Sequence, residues 1–129
     1  MTNKQIVQQM YADFGAANIQ GILDVISDDI IWETPGPQAI PWAGVRNGKA
    51  GAIDFFTQVG TSTVYEKFEP QIFIEEGDIV AVQGFAAFSR KDTGKKAISP
   101  WMMVWTFKNG KAVQVKNLWD TYAVAESFA

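Results

Sequence analysis

The first part of the chain places its apolar side chains at helical spacing. Thr2, with Gln5 three positions later, has the spacing of a capping box. The stripe that follows predicts a helix ending near residues 15–17, and consists of Ile6, Val7, Met10, Tyr11 and Phe14. Asn18 is the predicted N-cap of a second helix over residues 19–27, and residues 49–59 predict a third. Between these two helices, residues 30–34 predict a short strand.

After Thr63 the helical period disappears and the chain predicts four strands. Their approximate bounds are Val64–Ile74, Ile79–Arg90, Lys96–Phe107 and Ala112–Thr121. Each connection between them is short and contains glycine, as antiparallel hairpins require. The pair Asn109-Gly110 between two apolar runs is the strongest of these turn signals. Thr121 is the predicted cap of a final helical turn over residues 122–128.

This order predicts an α+β domain spanning residues 1–129, with three helices packed on a curved antiparallel sheet that forms a cone-shaped pocket. In the run from Trp101 to Phe107 both alternating faces are largely apolar, so each face needs a cover. We expect the helices to cover one face and a second subunit to cover the other. The sequence therefore predicts a homodimer.

Composition narrows the function classes. The chain of 129 residues has 11 basic and 14 acidic residues, net charge −3, and no basic cluster beyond Lys95-Lys96, which argues against a nucleic-acid partner. It contains no Cys and no His, so a zinc site of the usual ligands and a Ser-His or Cys-His nucleophile are excluded. No apolar stretch approaches 18 residues and no leader is visible, so we expect a cytoplasmic protein that does not bind membranes.

Several short landmarks, in the right order over nearly the whole chain, resemble the SnoaL-like branch of the nuclear-transport-factor-2-like (cystatin-like cone) superfamily. The landmarks are Tyr11-Ala12-Asp13-Phe14, Asp28–Glu33, Pro41–Gly44, Gly48-Lys49, Phe55-Phe56, Gly77–Val80, Thr93–Lys95, Trp105–Phe107, Gly110-Lys111 and Asp120-Thr121. The resemblance implies a deep pocket between sheet and helices, usually in a homodimer. It also implies chemistry without a metal or an organic cofactor, since SnoaL-like polyketide cyclases use an acid at the position of Asp120 for proton transfer.

Two related chemistries fit the residues less well. Steroid-isomerase relatives carry a catalytic Asp where this chain has Thr34, and their acidic oxyanion donor falls on Met103. Many other relatives carry a His at that second position. Epoxide-hydrolase relatives need an Asp-Arg-Asp relay, and neither Arg46 nor Arg90 lies in a matching context. The resemblance therefore favours proton transfer by Asp120 over either alternative.

Asp120 and Tyr11 are the candidate catalytic residues. Asp120 lies among aromatic residues, where an acid is costly unless it is hydrogen-bonded, protonated or solvated. It is interpreted either as a general acid or base in an apolar pocket or as the N-cap of the last helix. If Asp120 points into the pocket, strand alternation turns Trp119 to the outer face. Tyr11 is interpreted either as a hydroxyl donor to a bound carbonyl or as a core aromatic residue.

The candidate substrate-binding residues are mostly aromatic, which suits an apolar and planar ligand. They are Trp32, Glu33, Trp42, Phe55, Trp101, Met103 and Trp105. Each of them is also an ordinary core or interface residue, and Glu33 fits a solvent-facing strand end equally well. Two functions stay open: a cofactor-independent isomerase or cyclase acting on an apolar carbonyl substrate, and a non-catalytic small-molecule-binding or dimerisation module.

Overall fold

A computed structural model describes residues 1–129. The helices and strands follow in the order α1 (Asn3–Gly15), α2 (Ile19–Leu23), β1 (Ile26–Thr34), β2 (Gly44–Asn47), α3 (Gly48–Ser62), β3 (Thr63–Glu76), β4 (Ile79–Arg90), β5 (Lys96–Lys108), β6 (Lys111–Trp119) and α4 (Thr121–Ser127). This is the predicted α+β order, with the N-terminal helices packed on one face of the sheet.

The six strands form one sheet in the order β2-β1-β6-β5-β4-β3. All neighbouring strands are antiparallel except β1 and β6, which run parallel with Trp32 opposite Val115. β3 carries two register shifts, between Tyr65 and Lys67 and between Pro70 and Ile72. Such irregularities bend a strand and increase its twist, and they help to curve the sheet around the helices.

The helix starts follow from capping side chains. The predicted capping box at α1 is confirmed, because Thr2 and Gln5 exchange side-chain to backbone hydrogen bonds of 2.9 and 3.1 Å. Asn18 caps α2 as predicted, accepting a hydrogen bond from Gly21 N at 3.2 Å. Of the two residues that the sequence offered as the cap of α4, Asp120 caps the helix and Thr121 is its first residue.

Two elements differ from the prediction. The second helix ends at Leu23 instead of residue 27, because the following residues pair with β6: Ala112 N donates to Val25 O at 2.9 Å. Ile26 then lies opposite Ala112 in the sheet. The predicted loop before the third helix contains the edge strand β2, whose four residues are too few to show an alternating pattern.

The two faces of the sheet differ in burial. Along β5, Trp101, Met103 and Trp105 are buried beneath the helices, whereas the alternate residues face outward. Gly84 of β4 lies opposite Trp101, and any side chain there would overlap the Trp101 indole. Glycine at this position therefore lets the indole lie flat on the strand. None of the helices is both long and apolar enough to cross a bilayer.

Candidate functional site

The inner face of the sheet and the helices enclose an apolar cavity. Fourteen of its fifteen lining residues are hydrophobic, and the fifteenth is Asn117. The volume of the cavity is about 40 Å³, enough for a few water molecules but below the roughly 300–1,000 Å³ of typical ligand pockets. A ligand with several rings therefore needs some lining side chains to move.

Most of the predicted binding residues lie on the wall of this cavity. Trp32, Trp42, Phe55, Met103 and Trp105 line it, as does the candidate catalytic residue Tyr11. Trp101 is not among the lining residues, and its ring stacks against the rings of Tyr11 at 5.5 Å and Phe68 at 4.8 Å (centroid distances).

Glu33 lies outside the cavity. It is half-buried, and strand alternation turns it away from Trp32 toward the outer face, between Val45 and Lys116 of the neighbouring strands. Glu33 therefore does not line this cavity, and the alternative interpretation, a strand Glu that faces solvent, describes its position.

Tyr11 is the centre of a buried hydrogen-bonded group. Its hydroxyl accepts a hydrogen bond from Trp105 Nε1 at 3.2 Å and donates to Met103 Sδ at 3.0 Å. Burial raises the pKa of Tyr11 well above its usual range, outweighing the opposite effect of the Trp105 hydrogen bond. The neutral phenol is therefore a hydrogen-bond donor, and its present acceptor is a thioether, which is weak.

Asn117 is a polar residue of the cavity that the sequence reasoning missed. It is 1% exposed, and its Oδ1 accepts a hydrogen bond from Trp119 Nε1 at 2.6 Å. Both side chains line the cavity, because they lie two residues apart on β6 and so share a face. The sequence signal that could have identified Asn117 is its position two residues before Trp119, because the two side chains then lie on the same face of the strand.

Asp120 lies outside the cavity, so the predicted placement is wrong. Its side chain is exposed, and its Oδ1 accepts a hydrogen bond from Ala123 N at 3.1 Å, as an N-cap does. Its own backbone N donates to Ser99 Oγ at 2.9 Å. Trp119 takes the inward position, since it pairs with the inward-facing Trp101 across β5 and β6. The alternation of the two residues was predicted correctly, but the assignment of faces was inverted.

Arg46 holds the loop that brings Trp42 to the cavity. Its Nη1 donates to the carbonyls of Trp42 at 2.7 Å and Ala43 at 3.3 Å, and its Nη2 donates to that of Pro41 at 3.3 Å. Its Nε pairs with Asp54 of α3 at 2.8 Å, which lowers the pKa of that carboxyl group. A guanidinium with several donors in a fixed plane suits this task, and sequence reasoning gave it no role.

Charged groups are absent from the wall of the cavity, whose only titratable members are Tyr11 and Tyr65. Burial raises the pKa of Tyr65, as it raises that of Tyr11. No three His, Cys, Asp or Glu side chains lie together anywhere in the chain as a metal-binding group. The arrangement can therefore bind an apolar molecule and donate hydrogen bonds to it, but it presents no carboxylate to remove a proton.

Known structures resemble the chain over nearly its full length. An NTF2-like protein from Burkholderia xenovorans LB400 is 29% identical, with a TM-score of 0.89, and the match covers 98% of this chain and 95% of that one. An NTF2-like protein of unknown function from Burkholderia pseudomallei K96243 is 27% identical, with a TM-score of 0.88 and coverage of 100% and 99%. TerC, co-crystallised with polyporic acid, is 29% identical, with a TM-score of 0.85 and coverage of 98% and 97%.

No curated protein sequence matches the chain significantly. The family described as the SnoaL-like domain matches residues 7–115, which include most of α1, all of β5 and the first five residues of β6. The order of elements, the helix-covered sheet and this match agree, and the chain belongs to the SnoaL-like domain family.

Proposed function

We propose that the protein binds an apolar, ring-containing small molecule in the cavity between the sheet and the helices. The observation that supports this most is the wall itself, with aromatic rings on several sides and one buried amide. Sites for organic ligands are typically lined by apolar and aromatic side chains with a few polar groups. The co-crystal of TerC with polyporic acid supports a small organic molecule as the occupant.

The first experiment uses indane, a bicyclic hydrocarbon, as the probe. We expect saturable binding of one molecule per chain in a titration followed by calorimetry. Val59→Phe adds a ring at a position that lines the cavity and should weaken binding about tenfold, or roughly 1.4 kcal/mol.

Val64→Phe is the matched control, because Val64 is exposed and the added ring stays outside the cavity. This variant should bind indane like the wild type. Absence of saturable binding by the wild type, or equal binding by both variants when both melt cooperatively, would contradict the proposal.

A second candidate function is the cofactor-independent isomerase or cyclase expected from the sequence. The Tyr11 hydroxyl supports it, because a neutral phenol in an apolar site can stabilise the oxyanion formed from a carbonyl. Asp120, the exposed N-cap of α4 directly after β6, stays a predicted catalytic residue without a place at the cavity. The enzyme interpretation requires that the protein exchange the C2 hydrogens of 1-indanone in D₂O faster than buffer alone does. Tyr11→Phe should slow that exchange. Exchange no faster than in buffer alone would contradict the enzyme interpretation, and the binding function would then be the one that stands.

The predicted homodimer would use the outer face of the sheet. Ile98, Met102 and Leu118 are 62%, 38% and 42% exposed on that face, and Met102 lies directly opposite Leu118. Contiguous exposed apolar surface marks interaction sites. We expect sedimentation to show a dimer that Leu118→Glu converts to a monomer, whereas a wild-type monomer at micromolar concentration would contradict it. The cytoplasmic location and the single-domain organisation also stay predictions.

A further inference from the structure

An open cleft lies next to the closed cavity. The volume of the cleft is about 360 Å³, the usual size of a ligand pocket, whereas that of the cavity is about 40 Å³. The residues that line the cleft are Pro41, Thr61, Ser62, Arg90, Lys91, Asp92 and Phe128. One of them, Pro41, directly precedes Trp42, which lines the cavity. The two spaces therefore approach each other at Trp42.

Two aromatic rings form the partition between the cavity and the cleft. Trp42 lines the cavity, Phe128 lines the cleft, and their ring centroids are 5.4 Å apart in an edge-to-face arrangement. Trp42 is 2% exposed, and Phe128 is half-buried. Separation of these two rings would join the closed cavity to an open space.

The backbone on the Trp42 side of the partition is held firmly. Arg46 donates hydrogen bonds to the carbonyls of residues 41–43 and pairs with Asp54 of α3. These bonds fix the backbone that carries the Trp42 ring and leave the ring itself free of hydrogen bonds. The Phe128 side is therefore the side to examine for movement.

Two basic side chains hold the segment Ser127–Ala129 against the rest of the molecule. Arg90 Nη1 donates to the Ser127 carbonyl at 3.1 Å, and the guanidinium lies 4.7 Å from the centroid of the Phe128 ring. Lys95 Nζ donates to the Ala129 carbonyl at 2.8 Å. The backbone N–H groups of Phe128 and Ala129 donate only to carbonyls of α4 itself. A segment held by so few bonds can open locally while the rest of the fold stays intact.

The two basic side chains belong to a turn that is anchored elsewhere. Arg90 Nε and Nη2 donate to both carboxylate oxygens of Asp92, at 2.9 and 2.6 Å. The next residue, Lys91, donates its backbone N–H to the Ser62 carbonyl at the end of α3, at 3.0 Å. The turn between β4 and β5 therefore stays in place when Ser127–Ala129 moves.

We propose that Ser127–Ala129 is the gate of the cavity. Release of this segment from Arg90 and Lys95 moves the Phe128 ring away from Trp42. The Trp42 ring then turns into the cleft, and a ligand passes into the cavity. This inference rests on the proposed binding function and describes how that site is reached. The gate closes again behind the ligand, so it sets how fast a ligand enters and leaves rather than how tightly it binds.

The first test measures the rates of indane binding by stopped-flow tryptophan fluorescence. Phe128→Ala removes the ring that closes the partition, so association and dissociation should both become about tenfold faster, with Kd changed by less than about twofold. Phe85→Ala is the matched control, because Phe85 is also half-buried but lies on the outer face of β4, away from the cavity. The control should keep the wild-type rates.

Two neighbouring lysines test how the gate is held. Lys95→Met removes the hydrogen bond to the Ala129 carbonyl and should raise both rates about threefold. Lys96→Met is the matched control, since Lys96 pairs with Glu66 at 3.2 Å and not with the gate. A variant that merely damaged the packing of the cavity would weaken indane binding, whereas loosening the gate leaves Kd unchanged.

Hydrogen exchange reports the opening of the gate without any ligand. The Trp105 indole N–H is buried, and it donates to the Tyr11 hydroxyl within the cavity. An open gate admits water, so this hydrogen should exchange with D₂O faster in Phe128→Ala and Lys95→Met than in the wild type. The two control variants should exchange it at the wild-type rate.

The outcomes separate the gate from the binding function. If indane binds to Phe128→Ala and Lys95→Met with wild-type rates, the gate is overturned and the binding function stands. If indane does not bind to the wild type, the binding function is overturned, and unchanged indole exchange would overturn the gate as well. Equal acceleration by Lys95→Met and Lys96→Met would also overturn it. If Phe128→Ala does not fold, the two lysine variants decide.

Discussion

The two faces of β5 are both largely apolar, but one is buried and the other is exposed. Inward, Trp101, Met103 and Trp105 are buried by helices of the same chain and by neighbouring rings. Outward, Ile98 and Met102 stay exposed, and nothing in the chain covers them. Apolar composition alone therefore does not identify a core face, because burial depends on which elements the chain folds back onto the strand. The inner face keeps hydrogen-bonding groups at a small cavity, and the outer face offers a flat apolar surface.

The largest expected effect is a difference in the free energy of unfolding between variants of the inner face and variants of the outer face. Trp101→Ala should lower the free energy of unfolding by about 3–5 kcal/mol, because it removes a buried ring stacked against Tyr11 and Phe68. Met102→Ala, one residue away on the outer face, should cost about 1 kcal/mol or less in a monomer. Urea denaturation measures both. Equal losses would show that the outer face is covered, and the loss for Met102→Ala would then depend on protein concentration.

A smaller effect tests the hydrogen bonds of the inner face. Tyr11→Phe leaves the Trp105 indole without an acceptor and should cost about 1–3 kcal/mol in the free energy of unfolding. Tyr122→Phe is the matched control, because Tyr122 is 75% exposed and should change stability by no more than about 0.5 kcal/mol. If both variants were equally stable, the Tyr11 hydroxyl would contribute nothing to the packing of this face.

Loss of the N-cap at the junction between β6 and α4 should change the free energy of unfolding by about as much as Tyr11→Phe does, or less. Asp120→Ala should lower the free energy of unfolding by about 1 kcal/mol, the usual cost of losing an N-cap, whereas Asp120→Asn should be nearly neutral. Both variants should bind indane like the wild type, since Asp120 is outside the cavity. Weakened binding by Asp120→Asn, with an unchanged melting temperature, would instead give this carboxylate a role at the cavity.

The smallest expected effect is the acid dependence of stability. Hydrogen bonds from basic side chains hold the pKa of three exposed carboxyl groups below their usual range: Asp54 beside Arg46, Glu66 beside Lys96 and Asp92 beside Arg90. A lowered pKa in the folded state stabilises the fold above the unfolded pKa, and this contribution disappears as the pH falls through the folded value. Stability should therefore decline below about pH 4.

Urea titrations at pH 7 and pH 3 measure this decline, and Asp54→Asn should reduce it because the variant lacks one of the three titrating groups. The effect should be modest, since all three carboxyl groups are exposed and solvent screens their ion pairs. Stability that rose on acidification would contradict the sign worked out here.

The fold was more predictable than the site. Apolar periodicity, the capping box at Thr2 and the Asn109-Gly110 turn are local signals, and the structure follows them: both turn residues adopt positive φ, 53° and 77°. The parallel pairing of β1 with β6 has no local signal, because it joins residues far apart in the sequence. This pairing also ended the second helix earlier than predicted.

The placement of side chains at the site depended on strand phase. Alternation fixed that Trp119 and Asp120 face opposite ways, but only the pairing of Trp119 with Trp101 decides which one is inward. The roles of Asn117 and Arg46 were missed because the local sequence does not show which groups their side chains contact. Their roles come from a partner indole in one case and from loop carbonyls in the other.

The parallel contact between β1 and β6 has a consequence for the order of folding. Ile26 pairs with Ala112, so the contact closes a loop that contains most of the chain, and such non-local pairing slows folding. During synthesis the hairpins β3–β4 and β4–β5 can form before β6 has left the ribosome. The wall that carries Trp32 cannot be joined to them until then. The cavity is therefore completed only when nearly the whole chain has been made, and a truncated product would expose the aromatic residues meant to line it.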